Sequence, residues 1–178
     1  MNGGKSNDTE LRTERLVLRR ARPEDLSAMH AVLGDEREMR YWSHGPHQDL
    51  ATTKEWLDSM ITSPAEVSDD FVVTLDGEAI GKMGAWRLPD FGFILRPDHW
   101  GHGYAKEALK AFLDHIFRAR QANFLTADVD PRNTSSLGLL TKHGFAETGR
   151  ASATWTTHIG ICDSVYLRLD RDAWLSAS

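Results

Sequence analysis

Residues 91–109 read FGFILRPDHWGHGYAKEAL, and the interpretation of the whole chain starts from this stretch. Phe91, Phe93 and Leu95 fall at every second position, which predicts a β-strand. After the glycines at 101 and 103, apolar residues recur at intervals of three and four, which predicts a long amphipathic helix. These residues are Ala105, Ala108, Leu109, Phe112, Leu113, Ile116 and Phe117. The stretch is therefore interpreted as a strand, a glycine-rich loop and a helix.

A glycine-rich loop at the start of a helix can bind an anion. The first amides of the helix have no intrahelical partner, and the helix dipole adds partial positive charge. Gly101 and Gly103 let the backbone approach a phosphate closely, although a tight turn that merely needs two glycines explains the same residues. The dinucleotide-binding pattern is excluded because Lys106 stands where its third glycine would fall, and no Gly-Lys-Ser/Thr of a P-loop is present.

The rest of the chain predicts one mixed α/β domain over residues 11–175, after a polar tail at residues 1–10 that we expect to be disordered. Helices are predicted to open at Pro23 and after Asp49, and another covers residues 135–143. Further strands are predicted over residues 15–20, 71–75, 78–86, 123–130 and twice between 146 and 170. Asp76-Gly77 is a typical hairpin turn between two of them.

Composition excludes several classes of protein. The chain has 178 residues, a net charge of −5 and one cysteine, Cys162. The acidic balance argues against a nucleic-acid partner, and the apolar runs are too short to span a membrane. A single cysteine rules out an internal disulfide, which favours a cytoplasmic location. We expect a monomer or a homodimer.

Three blocks of this sequence resemble the GNAT N-acetyltransferase superfamily, in particular its RimJ/RimL-like branch of ribosomal-protein acetyltransferases. They are residues 91–109, residues 129–136 (VDPRNTSS) followed by Gly144-Phe145, and residues 13–19 (TERLVLR) with 23–26 (PEDL). The resemblance implies an α/β fold with a twisted mixed sheet of about seven strands, a central splay and about four flanking helices. It also implies acetyl-CoA as co-substrate, no metal, and a primary amine as acceptor, either a protein N-terminus or a small molecule.

The resemblance implies a cofactor site along the splayed strands, at residues 91–95 and 123–130, and in the loop that follows the first of them. The residues that it implies for acetyl-CoA are Phe93, Ile94, Leu95, Trp100, Gly101, His102, Gly103, Tyr104, Ala105, Lys106 and Asn133.

The chemistry implied is direct attack of an amine on a thioester, which requires a base for the amine and a proton for the thiolate. Asp90 and Asp128 stand where relatives carry a base, although either could be a solvated acid at a strand end. Leu140 stands where many members carry an acidic Tyr, so Ser136 is the candidate acid, unless it merely caps a helix or the thiolate leaves without a proton donor. A non-catalytic acyl-CoA-binding protein is the alternative function.

The acceptor pocket is expected from the segment after the first helix, at Tyr41, Trp42 and His44, with Trp155 as a second wall. A packed aromatic turn is the alternative interpretation of the first three. The histidine pairs at 44/47 and 99/102 have a spacing that metal ligands use, but no acid or cysteine cluster accompanies them, so no metal site is predicted.

Overall fold

An eight-stranded sheet is the framework of residues 9–178, the part of the chain that this computed structural model describes. The strands lie in the order β1-β2-β3-β4-β5-β6-β8-β7. Their bounds are β1 Glu10–Arg12, β2 Leu16–Arg19, β3 Asp69–Leu75, β4 Glu78–Arg87, β5 Asp90–Leu95, β6 Phe124–Val129, β7 Ala146–Thr157 and β8 Gly160–Asp170.

Six α-helices lie in the same described range, and a short 3-10 turn at Pro23–Asp25 precedes the first. They are α1 Leu26–Leu33, α2 Glu36–Met39, α3 Leu50–Thr62, α4 Tyr104–Asp114, α5 Thr134–Lys142 and α6 Arg171–Ala177. The helix α4 continues as a wider π-type turn over His115–Ala119. None of the helices in residues 9–178 is long and apolar enough to cross a membrane.

The predicted α/β fold is confirmed, with eight strands where about seven were expected and six helices where about four were expected. The additional elements are short: β1 has three residues, α2 has four and α6 has seven. Such segments are too short to show a period in the sequence. Glu10, placed in the predicted tail, belongs to β1, whereas residues 1–8 of that tail lie outside the described residues.

The sheet opens between β5 and β6, as the predicted splay requires. All neighbouring strands are antiparallel except these two, which are parallel and meet at a single position, Asp90 opposite Thr126. Beyond that position β6 stays in register with β8 through Val129, and β5 stays in register with β4 through Leu95. The two strands therefore diverge towards their carboxyl ends and leave a cleft between them.

Local sequence explains the turns that hold the sheet in place. Asp76 and Gly77 both adopt positive φ angles, 51° and 84°, as a two-residue type I′ hairpin demands. The Asp49 carboxylate accepts a hydrogen bond from the amide of Thr52 and so caps α3 as expected. Gly144, with φ of 94°, ends α5.

Two apolar clusters sandwich the sheet. On one face, α4 packs its buried side onto the strands, with Phe112 close to both Phe71 and Phe91. On the other face, Met29 of α1 and Leu57 of α3 are buried in a cluster with residues of β3, β4 and β5. The strand β5, at the edge of the cleft, is therefore closely packed on both faces.

A buried ionic network involves the first residues of β3 and a lysine in the middle of β4. Lys82 pairs with Asp70 at 2.7 Å, with both side chains less than 5% exposed. Asp69 is paired with Arg20 at 2.7 Å and with His115 at 2.9 Å. Burial acts to raise the pKa of Asp69, but the hydrogen bond from His115 and the charge of Arg20 outweigh it and hold this pKa below its usual value.

Candidate active site

The cleft exposes backbone amides of β5 that no neighbouring strand uses. The amide of Arg96 donates to the carbonyl of Ile80, on the β4 side of the strand. Because successive residues of a strand direct their amides to opposite edges, the amide of Ile94 also points to β4, and those of Phe93 and Leu95 point into the cleft. Of the three β5 residues predicted to bind acetyl-CoA, two present their amides to the cleft, whereas Ile94 is buried with its side chain in the core.

The loop after β5 is shaped as an anion site. Gly101 and Gly103 adopt left-handed φ angles of 76° and 81°, which residues with a side chain rarely adopt. Gly103 is the N-cap of α4, and no side chain of the described residues caps that helix end. The first amides of α4 are therefore left for a ligand, and the helix dipole adds positive charge at the same point. The loop therefore has the features of an anion site.

Arg15, which the sequence placed in a predicted strand and in one of the family blocks but not in the site, contacts the loop. Its Nη1 donates to the carbonyl of His102 at 2.9 Å, and its Nε donates to Glu107 at 2.8 Å. Its guanidinium also lies 4.5 Å from the ring centroid of Tyr104. Burial acts to raise the pKa of Glu107, but hydrogen bonds from Thr13 and Arg15 lower it below its usual value. This contact joins the block at residues 13–19 to the block at residues 91–109, and the sequence carried no information on how those blocks pair.

Lys106 and Asn133 lie at the ends of two helices beside the cleft. Lys106, on the first turn of α4, lines a surface depression together with Thr134 and Lys142 of α5. The Oδ1 of Asn133 accepts a hydrogen bond from the amide of Ser136 at 3.2 Å and caps α5. The carboxamide nitrogen of Asn133 has no hydrogen-bond partner among residues 9–178.

The two candidate bases stand on the two strands that diverge. Asp90 is at the closed end of the cleft, where its Oδ1 accepts from the hydroxyl of Thr126 at 3.1 Å and its Oδ2 lies 3.4 Å from Arg87. Asp128 is two residues further along β6, towards the open end, and accepts a hydrogen bond from the indole of Trp155 at 3.0 Å. The structure thus brings a candidate base and a candidate acceptor wall into contact across β8.

Ser136, the candidate acid, and Leu140, which stands where many relatives carry an acidic Tyr, differ in their surroundings. Ser136 is half-buried on the first turn of α5, and its amide is used by the Asn133 cap. Leu140, one turn later, is 1% exposed and belongs to the core cluster under the sheet. An aliphatic side chain at this position offers no proton.

The segment predicted to receive the acceptor leads from α2 towards α3. Tyr41 and Trp42 are half-buried, and Trp42 packs on the cluster of α1 and α3. His44 is exposed and stacks on His47 with ring centroids 5.3 Å apart. Burial and the nearby His44 hold the pKa of His47 below its usual value. Within residues 9–178 no three or more His, Cys, Asp or Glu side chains form a group that could hold a metal ion.

Glu38 is a residue of the cleft that sequence reasoning missed. Its Oε1 accepts a hydrogen bond from the amide of Leu95 at 3.2 Å, and its Oε2 is buried without a hydrogen-bond partner in the described part of the chain. Burial raises the pKa of Glu38 to about 8. In the sequence Glu38 sits in the run Glu36-Arg37-Glu38, which resembles a solvated helix face, so nothing in the sequence singled it out.

Comparison with known proteins identifies the family. A model of the acetyltransferase (GNAT) domain matches residues 15–146. The uncharacterized N-acetyltransferase p20 of Bacillus licheniformis is 28% identical over 148 residues, which cover 78% of this chain and 83% of that protein. The spermidine N(1)-acetyltransferase of Escherichia coli K12 is 29% identical over 138 residues, which cover 74% of this chain and 73% of that enzyme.

Solved structures share the fold at low sequence identity. The ribosomal L7/L12 alpha-N-protein acetyltransferase RimL, solved with coenzyme A, superposes with a TM-score of 0.83 at 16% identity, covering 93% of this chain and 99% of that one. The likeness shows a common fold with a protein of the branch that the sequence blocks resembled.

Proposed function

Because this chain belongs to the GNAT acetyltransferase family and is an acetyl-CoA-dependent N-acetyltransferase, we propose that its acceptor is a small aliphatic primary amine, which attacks the thioester directly. The cleft between β5 and β6, together with the N-terminus of α4, is the observation that supports transfer from acetyl-CoA, whereas the choice of acceptor rests on charge and on a relative. A net charge of −5 favours a cationic acceptor, and one relative acts on spermidine.

The chain's own groups suit the parts of acetyl-CoA. The amides at residues 101–105 and the side chain of Lys106 would hold the pyrophosphate, and the cleft-facing amides of Phe93 and Leu95 would pair with the amide groups of the pantetheine arm. Asn133 would add a carboxamide donor. When bound, acetyl-CoA supplies an activated acyl group, and the protein supplies position and proton transfer.

Removal of a proton from the acceptor amine is the step that requires a side chain. A primary amine is mostly protonated at neutral pH and cannot attack until it loses a proton, so a carboxylate at the cleft serves as base, directly or through one water. Asp90 and Asp128 are both candidates, since they stand on the two strands that border the cleft.

A panel of acceptors tests the proposal. Thiol release from acetyl-CoA is measured with spermidine, simple diamines, peptides with a free N-terminus, and no acceptor. We expect saturable release with the aliphatic amines, well above the rate without acceptor. Faster turnover of the peptides would replace the small amine by a protein N-terminus as acceptor. If acetyl-CoA binds in calorimetry but no amine releases thiol, the alternative of a non-catalytic acyl-CoA-binding protein replaces the enzyme.

A further inference from the structure

Glu38 accepts a hydrogen bond from the amide of Leu95, which the proposed cofactor site needs for acetyl-CoA. The amide of Leu95 points into the cleft between β5 and β6, where a strand would pair with it in a continuous sheet. In the structure this amide donates to Oε1 of Glu38 at 3.2 Å. The indole of Trp100 adjoins the same carboxyl group and donates to the carbonyl of Leu95 at 2.9 Å. The Glu38 side chain of α2 therefore takes the hydrogen-bonding position of a neighbouring strand beside β5, just before the glycine loop.

The hydrogen-bonding capacity of the Glu38 carboxyl group is only partly used in the cleft. Its Oε2 is buried and has no hydrogen-bond partner among residues 9–178. In the protonated form Oε2 carries a hydroxyl with no acceptor, and in the ionised form it carries buried charge without a paired cation in contact. Either state is costly, so an amide carbonyl of a ligand can compete for the N–H of Leu95. The arrangement holds Glu38 in place weakly.

We propose that Glu38 is a displaceable occupant of the acyl-CoA cleft: acetyl-CoA takes the amide of Leu95, and the Glu38 side chain leaves it for solvent as a carboxylate, releasing one proton to the medium. The proposal rests on the acetyl-CoA cleft described above. No covalent bond is made or broken apart from the O–H bond of the carboxyl group, whose proton passes to water.

Burial and the groups around Glu38 set its pKa, and this pKa determines the sign of the pH dependence. Burial is the main cause that raises its pKa to about 8, and the nearby Asp35 raises it further. The amide of Leu95, the indole of Trp100 and the charge of Arg37 act in the opposite direction. Arg37 in turn interacts electrostatically with Asp98, which lies on the turn after β5.

The linkage follows from these values. In the free protein Glu38 holds its proton up to about pH 8, whereas a side chain in solvent has its ordinary pKa of 4.5. Between these two pH values, acetyl-CoA binding displaces Glu38 and releases one proton. Each unit rise in pH therefore strengthens acetyl-CoA binding by up to about tenfold. The affinity then levels off above about pH 8. Glutamine at this position removes the dependence because it has no proton to lose.

Titration calorimetry of acetyl-CoA without acceptor tests the proposal. The affinity is measured from about pH 6 to pH 8.5, in pairs of buffers with different ionisation heats that report the protons released. We expect the wild-type protein to release close to one proton more than Glu38→Gln near pH 7, and this difference to shrink above pH 8. Glu38→Ala, which leaves the amide of Leu95 free, should bind more tightly than wild type near pH 6. Glu36→Gln, an exposed residue of the same helix, is the matched control and should behave as wild type.

Two results would overturn the displacement of Glu38. One is equal proton release by the wild-type protein and Glu38→Gln, and the other is weaker binding by Glu38→Ala than by wild type at every pH. Failure of the cofactor site itself gives a different result. In that case neither the wild-type protein nor any variant would show heat of acetyl-CoA binding at any pH.

Discussion

Replacing Gly103 by Val should separate ligand binding from folding. Gly103 adopts φ of 81°, and a Cβ at this position would lie 3.4 Å from Nη2 of Arg15, the side chain that contacts the loop. A left-handed conformation costs an ordinary L-residue about 1–2 kcal/mol. For a chain of this length, 1 kcal/mol corresponds to about 2–4 °C in Tm, so the expected fall is about 2–8 °C. The fold should survive.

The same substitution should weaken acetyl-CoA binding far more. A loop that relaxes to relieve the strain moves its amides and loses at least one hydrogen bond to a charged phosphate, worth about 1.5–3 kcal/mol. At 1.4 kcal/mol for each factor of ten, Kd should rise by about 10- to 150-fold. Gly103→Asn should bind more tightly than Gly103→Val, because asparagine tolerates the left-handed region better than valine does.

Calorimetry with acetyl-CoA, next to thermal unfolding of the same samples, measures both quantities. Gly77→Val is the matched control, since Gly77 has φ of 84° and open space around it but lies in the hairpin between β3 and β4. It should lose a similar amount of Tm and keep its affinity. An unchanged Kd for Gly103→Val, or an equal loss of affinity in Gly77→Val, would refute the assignment of the loop to the pyrophosphate.

Two further predictions concern the base and the buried ion pair. One of the two variants Asp90→Asn and Asp128→Asn should lower kcat by about 10²–10⁴-fold, because it removes the base, and should keep its affinity for acetyl-CoA. Its rate should recover in part at higher pH, and Asp172→Asn, at an exposed position, is the control. Full activity in both variants would mean that neither position carries a side-chain base. Lys82→Met leaves the carboxylate of Asp70 buried without its cation and should cost about 3–5 kcal/mol, seen as a fall in Tm of about 6–20 °C. Adding Asp70→Asn should restore part of that loss, and an additive loss in the double variant would contradict the pairing.

Most elements of the fold could be read from local sequence. The period of apolar residues in α4, the turn at Asp76-Gly77 and the cap at Asp49 each depend on residues close together in the chain. The family resemblance was carried by short blocks of the same kind. For this reason the sheet, the glycine loop and the general activity were accessible before any coordinate was known.

The contacts that complete the cleft connect distant parts of the chain, and local patterns carry no information about them. Glu38 meets the amide of Leu95 across 57 residues, Arg15 meets the carbonyl of His102 across 87, and Trp155 meets Asp128 across 27. The sequence alone determined that a strand, a glycine loop and a helix follow one another, and it predicted an anion site there, because helix geometry leaves the first amides of a helix without intrahelical partners. Only the tertiary structure decided that a glutamate from α2 lies in the cleft with a raised pKa, because burial of its carboxyl group depends on how α2 packs against β5.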